Sequence, residues 1–233
     1  MEQQQLARNL EAARGRIREA ERAAGRPEGS VALLPVSKFH PVEVVQALAD
    51  LGVDLVGENR EQEAREKAAQ LRGCGVAMIG QIQTKKANAV ARWAAQVHSL
   101  DSVKLARGLD RGMALALERG DRTSATLPCL IQVSYDGDTS RGGAAPGDVG
   151  KLVLEVEEAA HLELAGFMVV PPLGAEARRV FSDVRLLVDD YAQRLARPLA
   201  FSAGMSGDFE TAVACGSDIV RVGTAVFGPR PVV

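Results

Sequence analysis

Residues 31–57 read VALLPVSKFHPVEVVQALADLGVDLVG. The run 31–36 is short and apolar, which suits a strand buried on both faces. Residues 41–51 read as a helix, with Pro41 suited to its first turn and Gly52 to its end. Residues 54–57 then give a second short apolar strand. Two strands joined through a helix must pair parallel, because a hairpin cannot connect them.

The same rhythm continues to the end of the chain. Strands are predicted at 76–79, 96–99, 126–133, 162–168, 199–202 and 218–222. Helices are predicted at 60–72, 84–94, 102–118, 146–160, 175–196 and 206–214. Asp101 or Ser102 can cap the helix that follows, and 138–143 is a polar, glycine-rich loop. Eight strands alternating with helices over about 200 residues fit an α/β fold of the (β/α)₈ TIM-barrel type. An open doubly wound sheet is the alternative, but no GxGxxG turn follows the first strand. Ahead of the barrel, Leu6, Leu10, Ala13, Ile17, Ala20 and Ala24 make one apolar stripe on a helix ending near Gly25. This reads as an extra N-terminal helix (1–25) packed on the barrel. Without linkers or low-complexity segments, 1–233 reads as a single domain.

Composition narrows the classes. Twenty-eight Lys and Arg against 30 Asp and Glu leave a net charge of −2, so no basic excess points to nucleic acid. Cys74, Cys129 and Cys215 are scattered and odd in number, which suits reduced thiols rather than disulfides. His40, His98 and His161 form no ligand spacing, and no metal site is expected. The N-terminus is charged throughout, unlike a signal peptide. No stretch approaches the roughly 20 apolar residues of a membrane span. A cytoplasmic protein is expected, with no membrane partner.

Barrels place their chemistry at the carboxyl ends of the strands. Lys38 follows the first strand. A lysine there either points at water or is held for Schiff-base chemistry, since a crowded amine loses its proton more readily. Glu58 and Asn59 follow the second strand and can cap a helix or touch a ligand. Ser202, Gly204, Met205 and Ser206 follow the seventh strand; Arg221, Gly223 and Thr224 follow the eighth. Loops after strands seven and eight commonly hold phosphate, and hydroxyls with backbone N–H groups suit it. Their glycines also suit plain tight turns. Met168 and Met205 suit packing, and Lys85-Lys86 suits a solvated helix start.

Five segments together resemble the pyridoxal 5′-phosphate homeostasis (YggS/PROSC) family over nearly the whole chain. They are Leu34-Pro-Val-Ser-Lys38, Gly57-Glu-Asn-Arg-Glu-Gln-Glu63, Ile79-Gly80 with Gln83 and Lys86, Ser202-Ala-Gly-Met-Ser206 with Asp208, and Arg221-Val-Gly-Thr-Ala-Val-Phe-Gly228. The resemblance implies a fold-type III barrel like the N-terminal domain of alanine racemase, with pyridoxal 5′-phosphate as a Schiff base on Lys38. It implies phosphate contacts at Ser206, Gly223 and Thr224, with Ser202, Gly204 and Met205 in the same loop. It places Arg221 near the phosphate or the pyridine nitrogen, and Asn59 beside the cofactor. Three positions depart from the family pattern: Ala77 replaces a histidine, Lys85 an asparagine and Arg141 a lysine. Arginine does not form stable imines as lysine does, so no attachment through the Arg141 loop is implied.

Two functions share these residues. One is a binding protein for pyridoxal phosphate homeostasis, holding the cofactor without turnover, with the cofactor and pyridoxal phosphate-dependent apo-enzymes as partners and a monomeric state. The other is a fold-type III amino-acid racemase or decarboxylase. Racemisation needs acid/base groups on both faces of the reacting centre, and in racemases of this type one comes from a β-rich second domain. The sequence ends shortly after the last barrel element, so that domain is expected to be absent and the binding role is favoured. A barrel enzyme acting on a phosphorylated substrate through Lys38 fits the loops but not the five matching segments.

Overall fold

The computed structural model describes residues 3–229. Helix α1 (Gln3–Ala23) precedes strand β1 (Ala32–Pro35), followed by α2 (Val42–Ala49), β2 (Leu55–Glu58), α3 (Glu61–Ala68) and β3 (Gly75–Met78). Next come α4 (Ala87–Trp93), β4 (Gln96–Leu100), α5 (Val103–Glu118), β5 (Leu127–Val133), α6 (Val149–Glu158) and β6 (Leu162–Val169). Then α7 (Ala177–Arg194), β7 (Ala200–Ser202), α8 (Phe209–Ala214), β8 (Ile219–Val222) and α9 (Thr224–Phe227) complete the described chain. Short 3₁₀ turns precede α4 and α6 and occupy Thr139–Arg141.

All eight strands are parallel, in the order β1-β8-β7-β6-β5-β4-β3-β2. The circle closes between β1 and β2 through a single bridge, Val36 to Gly57. A (β/α)₈ barrel results. Its thin seam has a local cause. Ala32 and Val36 donate their N–H groups to Asp218 and Val222 on the β8 side, and Ser37 donates to Gly57 on the β2 side. Alternation assigns Pro35 to the β2 side as well, and proline has no N–H to give.

The apolar stripe of α1 is buried at Leu6, Leu10, Ala13, Ile17 and Ala20. The same helix buries Glu21, whose carboxylate accepts from the N–H groups of Gly29 (3.0 Å) and Val31 (2.7 Å) and so fixes the entry to β1. Ser102 caps α5 by accepting from the Leu105 N–H. Gly52 takes φ +85° after α2, as its place at a helix end predicts.

The helices predicted from 84 and 146 begin three residues later, after 3₁₀ turns, and two others differ for local reasons. The charged helix predicted over 60–72 ends at Ala68, because Gln70 and Leu71 both turn back onto the Lys67 carbonyl. The helix predicted from 206 begins only at Phe209. Residues 205–208 form a turn instead: Asp208 N–H donates to Met205 O, while the Asp208 carboxylate accepts from Met205 N–H at 2.6 Å. Ser206 therefore sits on a turn rather than opening a helix. Among the described residues, no helix is long and apolar enough to cross a membrane, and no cluster could hold a metal ion.

Candidate functional site

The carboxyl end of β1 turns sharply through Ser37–His40. The Ser37 carbonyl accepts from His40 N–H at 3.1 Å and from Lys67 Nζ at 2.8 Å. Phe39 takes φ +70°, a strained conformation for a bulky residue. Glu63 of α3 accepts from the Phe39 N–H at 3.3 Å. Glu63 and Lys67 lie one helical turn apart, so one face of α3 grips the turn that carries Lys38. Behind it, Glu58 is fully buried, accepts from Ser37 Oγ at 2.6 Å and pairs with Lys67.

Lys38 itself is half-buried, and its side chain makes no hydrogen bond among the described residues. It lines a cleft of ≈ 290 Å³ together with Asn59, Met205, Ser206, Arg221, Gly223 and Thr224. Seven of the nine residues singled out in the sequence thus meet in one cavity. Ser202 and Gly204 are not among its lining residues. They lie behind the wall and support Arg221. The Ser202 hydroxyl accepts from Arg221 Nη1 at 2.9 Å, and the Gly204 carbonyl accepts from the Arg221 N–H at 2.9 Å. Gly204 is held by packing, with φ +91° and its α-carbon so placed that a Cβ would lie 2.7 Å from the Ala212 methyl.

Arg221 is the electrostatic centre of this wall. It is 4% exposed, and its second nitrogen donates to the Val169 carbonyl at 2.9 Å. Burial lowers its pKa to about 10, so it stays cationic at neutral pH. Among the described residues it makes no ion pair, only bonds to neutral groups. The Asp208 carboxylate acts on it through space only, and a buried charge without a contacting counter-charge is costly unless a ligand supplies one.

The adjoining loops after β7 and β8 add donors. Among the described residues, the N–H groups of Ser206, Gly207 and Gly223 make no hydrogen bond, and all three residues line the cleft. The hydroxyls of Ser206 and Thr224 lie in the same lining. Unpaired N–H groups, hydroxyls and a buried arginine without an ion-pair partner are donors of the kind that suit an anion such as phosphate. Asn59 adds a buried Oδ1 without a partner. Its position depends on Gly80, where a Cβ would lie 2.1 Å from the Asn59 carbonyl oxygen.

Phe39, His40 and Gly207 line the cleft as well, although the sequence did not single them out as site residues. His40 stacks on Phe227 with ring centroids 4.8 Å apart. Burial and the nearby Lys67 charge push its pKa below the ordinary histidine value. Of the two tyrosines, Tyr135 donates to Asp183 at 2.6 Å and Tyr191 packs on Phe167; neither lines this cleft. Lys86 pairs with Glu61, and Arg141 pairs with Asp136 and Asp138.

Residues 8–231 match the family model described as the alanine racemase N-terminal domain. A pyridoxal phosphate homeostasis protein of Corynebacterium glutamicum is 56% identical over 206 residues, covering 88% of this chain and 93% of that protein. The chain belongs to the pyridoxal phosphate homeostasis protein family. A solved structure of PipY from Synechococcus elongatus PCC7942 with PLP bound is similar to this family member at a TM-score of 0.80 and 30% identity. That likeness covers 96% of this chain and all of PipY. The alanine racemase of Corynebacterium glutamicum shares the barrel fold, at a TM-score of 0.70 and 18% identity, over 97% of this chain and 61% of the racemase.

Proposed function

We propose that this protein binds pyridoxal phosphate in the Lys38 cleft, holds it as a Schiff base on Lys38 and serves cofactor homeostasis without turning over a substrate. One observation carries the reading: a single cleft joins a lysine amine to unpaired backbone donors, hydroxyls and a buried arginine that makes no ion pair among the described residues. Pyridoxal phosphate supplies an aldehyde for an amine to capture and a phosphate for a cradle to hold. Lys38 is assigned the first task. Ser206, Gly223 and Thr224, with the Gly207 N–H, are assigned the second. Arg221 is assigned to the cofactor's anionic or ring-nitrogen side, kept in place by Ser202 and the Gly204 carbonyl. Asn59 is assigned to the cofactor's edge, and Met205, 41% exposed, to the cleft mouth.

The homeostasis role is supported by the names of the relatives and by PipY, a relative solved with PLP bound. The partners assigned are the cofactor and pyridoxal phosphate-dependent apo-enzymes that receive it. The chain is assigned to the cytoplasm as a monomer, one barrel domain spanning 1–233 with its first helix packed outside.

His40 is the observation that favours a second reading, an amino-acid racemase or decarboxylase, because it offers another titratable group in the cleft beside Lys38. Its stacking on Phe227 and lowered pKa suit a wall residue better than a proton shuttle. The test is a titration with pyridoxal phosphate followed by absorbance, then racemase and decarboxylase assays across the amino acids on the loaded protein. Saturable binding without turnover is expected. Sustained turnover abolished by His40→Ala would establish the second reading instead.

A further inference from the structure

We propose that a second cavity on the same barrel face binds the ammonium end of an alkylamine and discriminates against carboxylates and α-amino acids. The cavity measures ≈ 300 Å³ and adjoins the Lys38 cleft, with Asn59, Ile79 and Val170 lining both. That volume suits a small molecule.

Its floor is the end of β5. Gln132 and Ser134 line it and are only 8% and 5% exposed. Among the described residues, neither side chain makes a hydrogen bond. Residues 142–144 fold back over them: Ala144 N–H donates to Gln132 O at 2.7 Å, and Ser134 N–H donates to Ala144 O at 2.9 Å. Gly142 lies against the Gln132 amide, where a Cβ would sit 3.3 Å from Nε2. Buried polar side chains are normally satisfied, so unpartnered ones facing a cavity point to a ligand that completes them. Asn59 contributes a further unpartnered buried oxygen where the two cavities meet. The two amides and the hydroxyl can each donate or accept, so they can hold a polar head group of either sign through their N–H and O–H groups or their oxygens. An ammonium group brings three donors and no acceptor.

Charge sets the preference. Arg141 is the cation among the described residues lining this cavity, and it is closed onto Asp136 and Asp138, the latter at 3.1 Å. One guanidinium against two carboxylates leaves a net −1 at the rim. Arg141 can bind a ligand carboxylate only by leaving these partners. A carboxylate therefore meets a rim of net like charge, whereas an ammonium meets one of net opposite charge. The alkyl chain has an apolar wall in Met168, Val170, Pro171 and Leu173. Leu173 is 98% exposed at the rim.

The inference goes beyond the proposed cofactor role and stands without it. Its test is calorimetric titration of cofactor-free Lys38→Ala protein at low ionic strength with pentylamine, norleucine and hexanoate. These share one pentyl chain and differ in carrying an ammonium, both charges, or a carboxylate. Pentylamine is expected to bind at least tenfold more tightly than the other two. Gln132→Leu is expected to weaken pentylamine at least tenfold. Asp136→Asn with Asp138→Asn, both on the exposed rim, is expected to free Arg141 and move the preference toward norleucine. Equal binding of the three probes, no pentylamine binding, or an unchanged preference in the double rim variant would overturn the proposal. Because the protein lacks Lys38 and cofactor, none of these outcomes depends on cofactor binding.

Discussion

Lys67 reaches from α3 to the carbonyl of Ser37, 2.8 Å away, and so holds the residue immediately before Lys38. The same ammonium neutralises Glu58, which is fully buried. Removing one member of a buried pair leaves the other charge stranded, which typically costs about 3–5 kcal/mol. Lys67→Met is expected to lose stability of that order in urea unfolding. Adding Glu58→Gln is expected to recover part of the loss, since no bare charge remains. A single-variant loss below about 1 kcal/mol would contradict the pairing, being the size of an exposed ion pair.

The anion cradle makes its own demand. Ser206→Ala and Thr224→Val are each expected to weaken pyridoxal phosphate binding roughly tenfold, about 1.4 kcal/mol, as for loss of a hydrogen bond to a charged group. Fluorescence titration measures this directly. Ser202→Ala is expected to act differently, because its hydroxyl supports Arg221 from behind the cleft wall. It should lower stability by about 1 kcal/mol as well as affinity.

The barrel was legible from 31–57 outward because most of its parallel strands are short, largely apolar runs that alternate with segments of helical period. Lys38, Asn59 and Arg221 were legible because strand ends are where barrels work. Lys67 was not. Its partners Ser37 and Glu58 are fixed by how α3 packs on β1 and β2, and nothing in its charged helix marks one lysine as buried. His40 was missed for the same reason, since its stacking partner Phe227 comes from the far end of the chain. The start of α8 was misplaced because Asp208 folds its carboxylate back to Met205 N–H and makes a turn of residues that could equally have opened a helix.

His98 on β4 gives the fold a pH dependence. It is fully buried; its Nε2 lies 2.9 Å from Gln96 Oε1 and its Nδ1 has no partner. Burial, aided by the Arg221 charge, lowers its pKa from 6.5 to about 3. Between those values the unfolded chain binds a proton that the folded chain refuses, so acid favours unfolding. The contribution is complete above pH 6.5 and is lost as the pH falls, at about 1.4 kcal/mol per pH unit. Between pH 6.5 and 5 that is about 2 kcal/mol. Urea unfolding of wild type and His98→Gln across this window checks it. The wild type is expected to show the steeper slope, and parallel slopes would contradict the assignment.

The cofactor assignment comes down to one lysine. Wild-type protein, Lys38→Ala and Lys67→Ala are incubated with pyridoxal phosphate, reduced with borohydride and digested for mass spectrometry. The expected result is one pyridoxyl phosphate group on the wild type, mapped to Lys38. Lys38→Ala should carry none, and Lys67→Ala, if it folds, should still carry its label on Lys38. A label on any other lysine, or equal labelling of Lys38→Ala, would contradict the account.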